Sequence, residues 1–220
     1  MIALLPILIF FAIAGLIAGA IYVSVVMEKK RTAKIQELAG GMGLTFLAAG
    51  DSELQSRLGA VNMFTQGRDR RLTNLINGAT EECTISIFDY QYTTGSGKQT
   101  QTHKSTIAAL ESPNLKNPAF TLRPENLFDK IGGMLGFQDI DFPDHEVFSQ
   151  SFVLKGPEEV EIRSFFNKTL LDFFGERSGS SVEAIPGMMI YYIPGRRRKA
   201  EEFPALLEEA YKVFGAIVDK

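Results

Sequence analysis

Cysteine is nearly absent. Cys83 is the only one in 220 residues, which excludes an internal disulfide framework and any multi-cysteine metal site. Histidine is almost as scarce: only His103 and His145 occur, and neither stands beside a Ser or Cys in a nucleophile motif. No excess of one charge is present either. The formal net charge is −3, with acidic and basic residues interspersed, and such a chain carries no nucleic-acid footprint. Internal repeats and long low-complexity linkers are missing, and no set of residues forms a catalytic constellation. A lone thiol is usual in a reducing compartment, and Cys83, in an alternating strand, reads as a small core residue.

What is present is an uncharged N-terminal run. Residues 2–27 carry no charged side chain, and Glu28, Lys29, Lys30 and Arg31 follow at once. As a helix this run reaches roughly 39 Å, enough to cross a hydrocarbon core of about 30 Å with some tilt. Ala18-Gly19-Ala20 offers a small-residue cleavage site, but no Lys or Arg precedes the run and it continues through Val26. Those features favour a retained anchor over a signal peptide. Lys29, Lys30, Arg31 and Lys34 lie just beyond it, so the positive-inside rule puts the N-terminus outside and the body in the cytoplasm. Each of these cations gains about 1 kcal/mol beside an anionic leaflet. Ala14, Gly15, Ala18 and Gly19 form a stripe of small residues. It is either the ordinary composition of a membrane helix or a surface for close packing against a partner helix.

The expected organisation is an anchor over 1–27, a juxtamembrane helix over 28–43 that prolongs it, and one soluble domain over 44–220. Ile35, Leu38, Ala39 and Met42 give the juxtamembrane helix a narrow apolar stripe. Asp51 reads as the N-cap of a short helix ending at Leu58. Extended segments are expected at 44–47, 71–76 and 83–92, with Asn77-Gly78 as a hairpin turn. In 83–92, Cys83, Ile85 and Ile87 point one way and Phe88, Tyr90 and Tyr92 the other. Gly95-Ser96-Gly97 turns the chain into a Thr-rich strand ending near Leu110. Further extended pieces are expected at 118–122, 140–142 and 148–154, with a short helix from Pro124 to Met134 between the first two. One helix is expected from Pro157 to Gly175, with Ile162, Phe165, Phe166, Thr169, Leu170 and Phe173 on its inner face. A hairpin about Pro186-Gly187 and a C-terminal helix from Glu201 complete the chain. Strands in adjacent groups favour an α+β domain with a mainly antiparallel sheet packed by helices.

The run Phe88-Asp89-Tyr90-Gln91-Tyr92-Thr93-Thr94-Gly95-Ser96-Gly97-Lys98 is distinctive. It is followed by Pro118-Ala119-Phe120-Thr121-Leu122-Arg123-Pro124-Glu125 and Gly136-Phe137-Gln138-Asp139-Ile140-Asp141-Phe142. Phe148-Ser149 and Phe152-Val153-Leu154-Lys155-Gly156 complete the series. Together these segments resemble a family of uncharacterised bacterial proteins with one N-terminal membrane helix and a cytoplasmic α+β domain. The resemblance implies a bacterial source and a shared fold, and it brings no activity and no cofactor.

Few residues invite chemistry. Gly95-Ser96-Gly97-Lys98-Gln99 lacks the first glycine and the hydroxyl of a phosphate loop, and its flanks read as strands. Asp139, Asp141, Asp144, His145 and Glu146 are the best oxygen-and-imidazole metal candidates, although Ile140 and Phe142 alternating with them also describe an edge strand. Arg68, Arg70 and Arg71 form one basic cluster and Arg196, Arg197, Arg198 and Lys199 another, suited to lipid headgroups or an acidic partner or to a solvated loop. The leading expectation is a non-catalytic accessory or stabilising subunit of a respiratory or photosynthetic type of membrane complex. Its partners would be the bilayer and other integral subunits, and it would hold no cofactor. A tethered metal-dependent enzyme using the Asp139–His145 cluster is the alternative, and a ligand-sensing domain is a third.

Overall fold

The computed structural model of the chain describes residues 4–125, 137–177 and 179–219. Helix α1 (Leu4–Gly41) runs unbroken through the expected anchor and juxtamembrane segments. From Ile9 its first half is apolar and exposed, and by length and composition it is able to cross a membrane. Its last turns meet the domain, burying Ile35 and Ala39. Met42, expected on the same stripe, is exposed beyond the helix end.

The domain is built on one eight-stranded sheet ordered β1-β2-β3-β4-β8-β7-β5-β6, antiparallel at every pairing. Its strands are β1 (Thr45–Ala49), β2 (Arg68–Ala79), β3 (Thr84–Thr94), β4 (Gln101–Glu111), β5 (Phe120–Pro124), β6 (Phe152–Lys155), β7 (Ser181–Ile185) and β8 (Met188–Tyr192). Helices α3 (Glu146–Ser151), α4 (Glu159–Phe165), α5 (Lys168–Gly175) and α6 (Phe203–Val218), with the end of α1, cover one face. Helix α2 (Ser52–Leu58) and a 3₁₀ turn (Asn62–Thr65) cover the other.

Alternation along the central strands sorts the core. Cys83, Ile85, Ile87, Ala108 and Leu110 join the cluster under the large helical layer. Phe88, Tyr90, Tyr92, Ile107 and Ala109 join the cluster under α2. A strand buried on both faces needs two apolar sets, and β3 supplies both. The α+β class and the antiparallel sheet expected from the sequence are what the chain forms.

Four local expectations need correction. Asn77-Gly78 does not turn the chain: both residues lie inside β2, paired with Ser86 and Ile85. The Asn77 carboxamide accepts a hydrogen bond from the Ser86 hydroxyl (2.8 Å), and Gly78 leaves room for Leu44. Residues 148–154 are not one extended piece. Phe148 is buried from the helical turn of α3, and β6 begins only at Phe152. Residues 140–142 form no strand, although the Ile140 N–H donates to the Leu154 carbonyl (2.8 Å). The helix expected over 157–175 is two. It stops at Phe165, and Asn167 starts a second by accepting from the Leu170 N–H (3.0 Å). The break lets Phe166 and Phe174 both face the core while Thr169 turns outward. Pro124 ends β5, and the remainder of the helix expected up to Met134 lies outside the described residues.

Asn167 is therefore a structural cap at the elbow of the helical layer. Asn167→Ala is expected to lower stability by about 1 kcal/mol and Asn167→Asp to preserve it, as read by urea unfolding of the full chain in detergent.

Candidate functional site

Among the described residues, a concentration of buried charge faces α1 where that helix meets the sheet. Asp89, on the same face of β3 as Ile85 and Ile87, is 4% exposed. A carboxylate there is tolerable only if paired and fully hydrogen-bonded, and the surrounding elements achieve this. From α1, Arg31 donates through Nε (2.8 Å) and Nη2 (2.7 Å), one bond to each carboxylate oxygen. From the loop after β8, Arg197 Nη2 donates at 3.0 Å. Asn74 Nδ2 (3.0 Å) and the Thr106 hydroxyl (2.8 Å) complete the shell.

Backbone geometry aims these groups. Asn74 has φ +55°, at the register shift between Thr73 and Ile76 in the β2–β3 pairing. Asn enters this left-handed region more readily than most residues. A bulge re-aims a side chain, here toward Asp89, while the Asn74 carbonyl oxygen accepts from Thr32 of α1 (2.8 Å). Thr106 is the direct cross-strand partner of Asp89, and its hydroxyl oxygen also accepts from the Arg198 N–H (2.9 Å).

A second shell ties the C-terminal part to the same point. Glu28 of α1 takes both Nη atoms of Arg197. Arg198, itself buried, donates to Glu209 of α6 at 2.5 Å, and Tyr191 donates to the same carboxylate at 3.2 Å. Burial would push the Asp89 carboxyl up, but the Arg31 hydrogen bonds and the Arg197 and Arg31 charges outweigh it and hold the group below its ordinary 3.8. Glu28 is lowered chiefly by its hydrogen bonds to Arg197.

The cations expected at the membrane surface thus divide. Arg31, Arg197 and Arg198 are engaged inside the chain. Lys34 pairs with Glu201 at exposed positions (3.1 Å), and exposed Arg196 pairs with half-buried Glu202 (2.6 Å). Lys29, Lys30 and Lys199 are exposed. Ala14, Gly15, Ala18 and Gly19 sit on the bare part of α1, where a Cβ at either glycine would meet no atom of the chain within 4 Å.

The acidic segment is put to other uses. Asp139 accepts from the Leu154 N–H (2.9 Å), and the Asp141 carbonyl accepts from Arg163 (2.7 Å). His145 approaches Asp172 (3.5 Å), which also pairs with Lys168 (2.6 Å), beside an open cavity of about 820 Å³. Among the described residues no three His, Cys, Asp or Glu side chains converge as metal ligands would. Cys83 is buried with Sγ 3.2 Å from the Tyr211 hydroxyl. His103 stacks on Tyr92 and shares a 2.7 Å hydrogen bond with Thr94, and desolvation lowers its pKa. Gly95–Gln99 joins β3 to β4 and precedes no helix able to hold phosphate.

A separate buried pair lies on the opposite face. Glu183 of β7 accepts from Arg123 (2.7 Å), the Tyr192 hydroxyl (2.8 Å) and the Met63 N–H (2.8 Å). All these side chains are buried, so the cluster braces the 3₁₀ turn against β5, β7 and β8.

The sequence marks Arg31, Arg197 and Arg198 as candidate contacts, whereas Asp89 enters only within the Phe88–Lys98 run and Asn74 not at all. The signal was present, since alternation puts Asp89 on the Ile85–Ile87 face and a charge on a core face demands a cation.

Two outcomes follow from this geometry. Asp89→Asn leaves the partly buried Arg31 without its counter-charge, while Arg197 keeps Glu28, and is expected to lower stability by about 2–3 kcal/mol, below the cost for a fully buried pair, with Glu28→Gln smaller because Glu28 is half exposed. Because the folded carboxyl of Asp89 sits below 3.8, its contribution is fully present above that pH and is lost as pH falls through the depressed value. Denaturant midpoints should fall for the wild type below pH 3.8, with a flatter response in Asp89→Asn over the same window.

Neither a family model nor a curated protein matches this sequence. Among solved structures, the chain is similar to the crystal structure of the mycobacterial trehalose monomycolate transport factor A, TtfA, with a TM-score of 0.62 at 12% identity. The match covers 85% of this chain and 93% of that one. The two share a fold, and with the long apolar α1 this fits a membrane-anchored α+β protein.

Proposed function

We propose that this chain is a membrane-anchored, non-catalytic accessory protein of a bacterial membrane assembly concerned with transport. Its N-terminus faces outward and its domain lies on the cytoplasmic face of the inner membrane, as the cations following the span favour. The observation that carries this reading is the ion-paired junction at Asp89. A tethered enzyme gains reach from a flexible linker. Here Arg31, about 6 Å along the helix from Met27, is fixed to the middle of the sheet, so helix and domain form one body. Rigid presentation suits a protein whose task is to occupy a set place beside other subunits.

The fold shared with TtfA supports transport as the process, because that neighbour is itself a transport factor. A respiratory or photosynthetic assembly has no comparable support. The metal-dependent alternative is weakened because Asp139 serves the backbone of β6.

Lateral packing through Ala14, Gly15, Ala18 and Gly19 is the mode of contact we favour, since small residues allow helix backbones to approach closely in lipid. Gly15→Leu with Gly19→Leu should leave the unfolding of the domain unchanged, because neither position touches the rest of the chain. The same variant should lose the membrane proteins that co-purify with the wild type after mild detergent extraction. Unchanged co-purification would show that this stripe is not the contact.

A further inference from the structure

A groove of about 680 Å³ opens beside the junction, between the Met27, Lys30 and Lys34 stripe of α1 and the segment carrying Arg197, Lys199 and Ala200. Residues 27, 30, 31 and 34 follow helical spacing, so one face of α1 forms a whole wall. Met27 lies at the end of the uncharged run and is exposed. The mouth of the groove is therefore level with the headgroups of any bilayer that α1 crosses.

The groove's charges do not balance. Arg31 and Arg197 are matched by Asp89 and Glu28, and Lys34 is matched by Glu201. Lys30 and Lys199 line the groove from opposite walls and form no ion pair with the described residues. Two exposed ammonium groups across an apolar-mouthed cleft are complementary to one anion that carries an apolar tail.

We infer that this groove binds the phosphate headgroup of an anionic membrane lipid. Lys30 and Lys199 contact the phosphate, and the acyl chains run along α1 past Met27. Arg31 and Arg197 hold the two walls at their spacing through Asp89. This rests on the reading of α1 as a membrane span. It adds a ligand to the junction: a lipid bound there would clamp the loop after β8 to the helix from outside, as Asp89 does from within.

The full-length protein in mild detergent, offered equal amounts of phosphatidylglycerol and phosphatidylcholine, is to be weighed by native mass spectrometry with its bound lipid. The wild type should retain phosphatidylglycerol selectively. Lys30→Gln with Lys199→Gln should reduce that retention roughly thirtyfold, the weight of two cations at an anionic surface, with no change in thermal unfolding. Equal retention by wild type and variant, or equal retention of the two lipids, would overturn the inference. In a separate arm, inorganic phosphate should displace phosphatidylglycerol only in large excess, and displacement at equal concentration would make the occupant a free anion and overturn the lipid. Alkaline carbonate washing of the source membranes separates the two levels. Release of the wild type would defeat the span and this site together, whereas a retained protein without lipid selectivity would defeat this site alone.

Discussion

A single carboxylate inside the protein decides how the long helix sits on the domain. Among the described side chains of α1, Ile35 and Ala39 are the fully buried ones. At about 1.5–3 kcal/mol for a large aliphatic side chain and less for alanine, that contact is enough to hold a helix but too sparse to fix its rotation and tilt. Asp89 supplies the missing directionality. Its two oxygens take one bond each from the two ends of a planar guanidinium fork, and that geometry is met at only one orientation of α1. Asn74, Thr106 and Arg197 then leave little room for the carboxylate to turn.

The same network joins parts of the chain that are far apart in sequence. Glu28 and Arg197 are 169 residues apart. Asp89 lies on the meander β1–β4, whereas Arg197 and Arg198 follow β8, the strand that connects this meander to the second half of the sheet. Arg198 extends the link to Glu209 on α6. The junction is therefore complete only once β8 has paired with β4 and α6 has packed. Contacts of such long range form late, after shorter loops have closed. The orientation of α1 thus depends on a segment that follows β8, far from the helix in sequence.

How much of this the sequence discloses depends on how local each cause is. The caps at Asp51 and the turns at Gly95 and Gly187 are written in residues next to one another, and so is the two-sided alternation of β3. All of these were legible. The helix break at Asn167 was not, because an apolar stripe running through Phe165 and Phe166 masks a capping residue that matters only once Phe174 must also reach the core. Asn77-Gly78 misled for the opposite reason. It is a strong local turn signal, overridden by β3 pairing and by Leu44 packed over the glycine. At the junction, Arg31 and Arg197 were visible as members of basic clusters, where charge runs ordinarily mark solvated surface. That Arg31 and Arg197 turn inward depends on a bulge in β2 and on a loop that brings Arg197 to Glu28, 169 residues before it in sequence.

An apolar contact of the same size would hold the helix as well, since replacing a buried ion pair by well-packed hydrophobic residues is often neutral or stabilising. What such a contact lacks is intolerance of alternatives. An apolar stripe accepts a helix rotated by a fraction of a turn at small loss, whereas a buried carboxylate separated from its guanidinium costs several kcal/mol. If α1 spans a bilayer as far as Met27, Arg31 lies about one helical turn beyond it, and a small rotation of α1 would swing the whole sheet. Charge pairing at the hinge point confines that swing. The domain is thereby held at one angle to α1, which an apolar seam of the same area would not enforce.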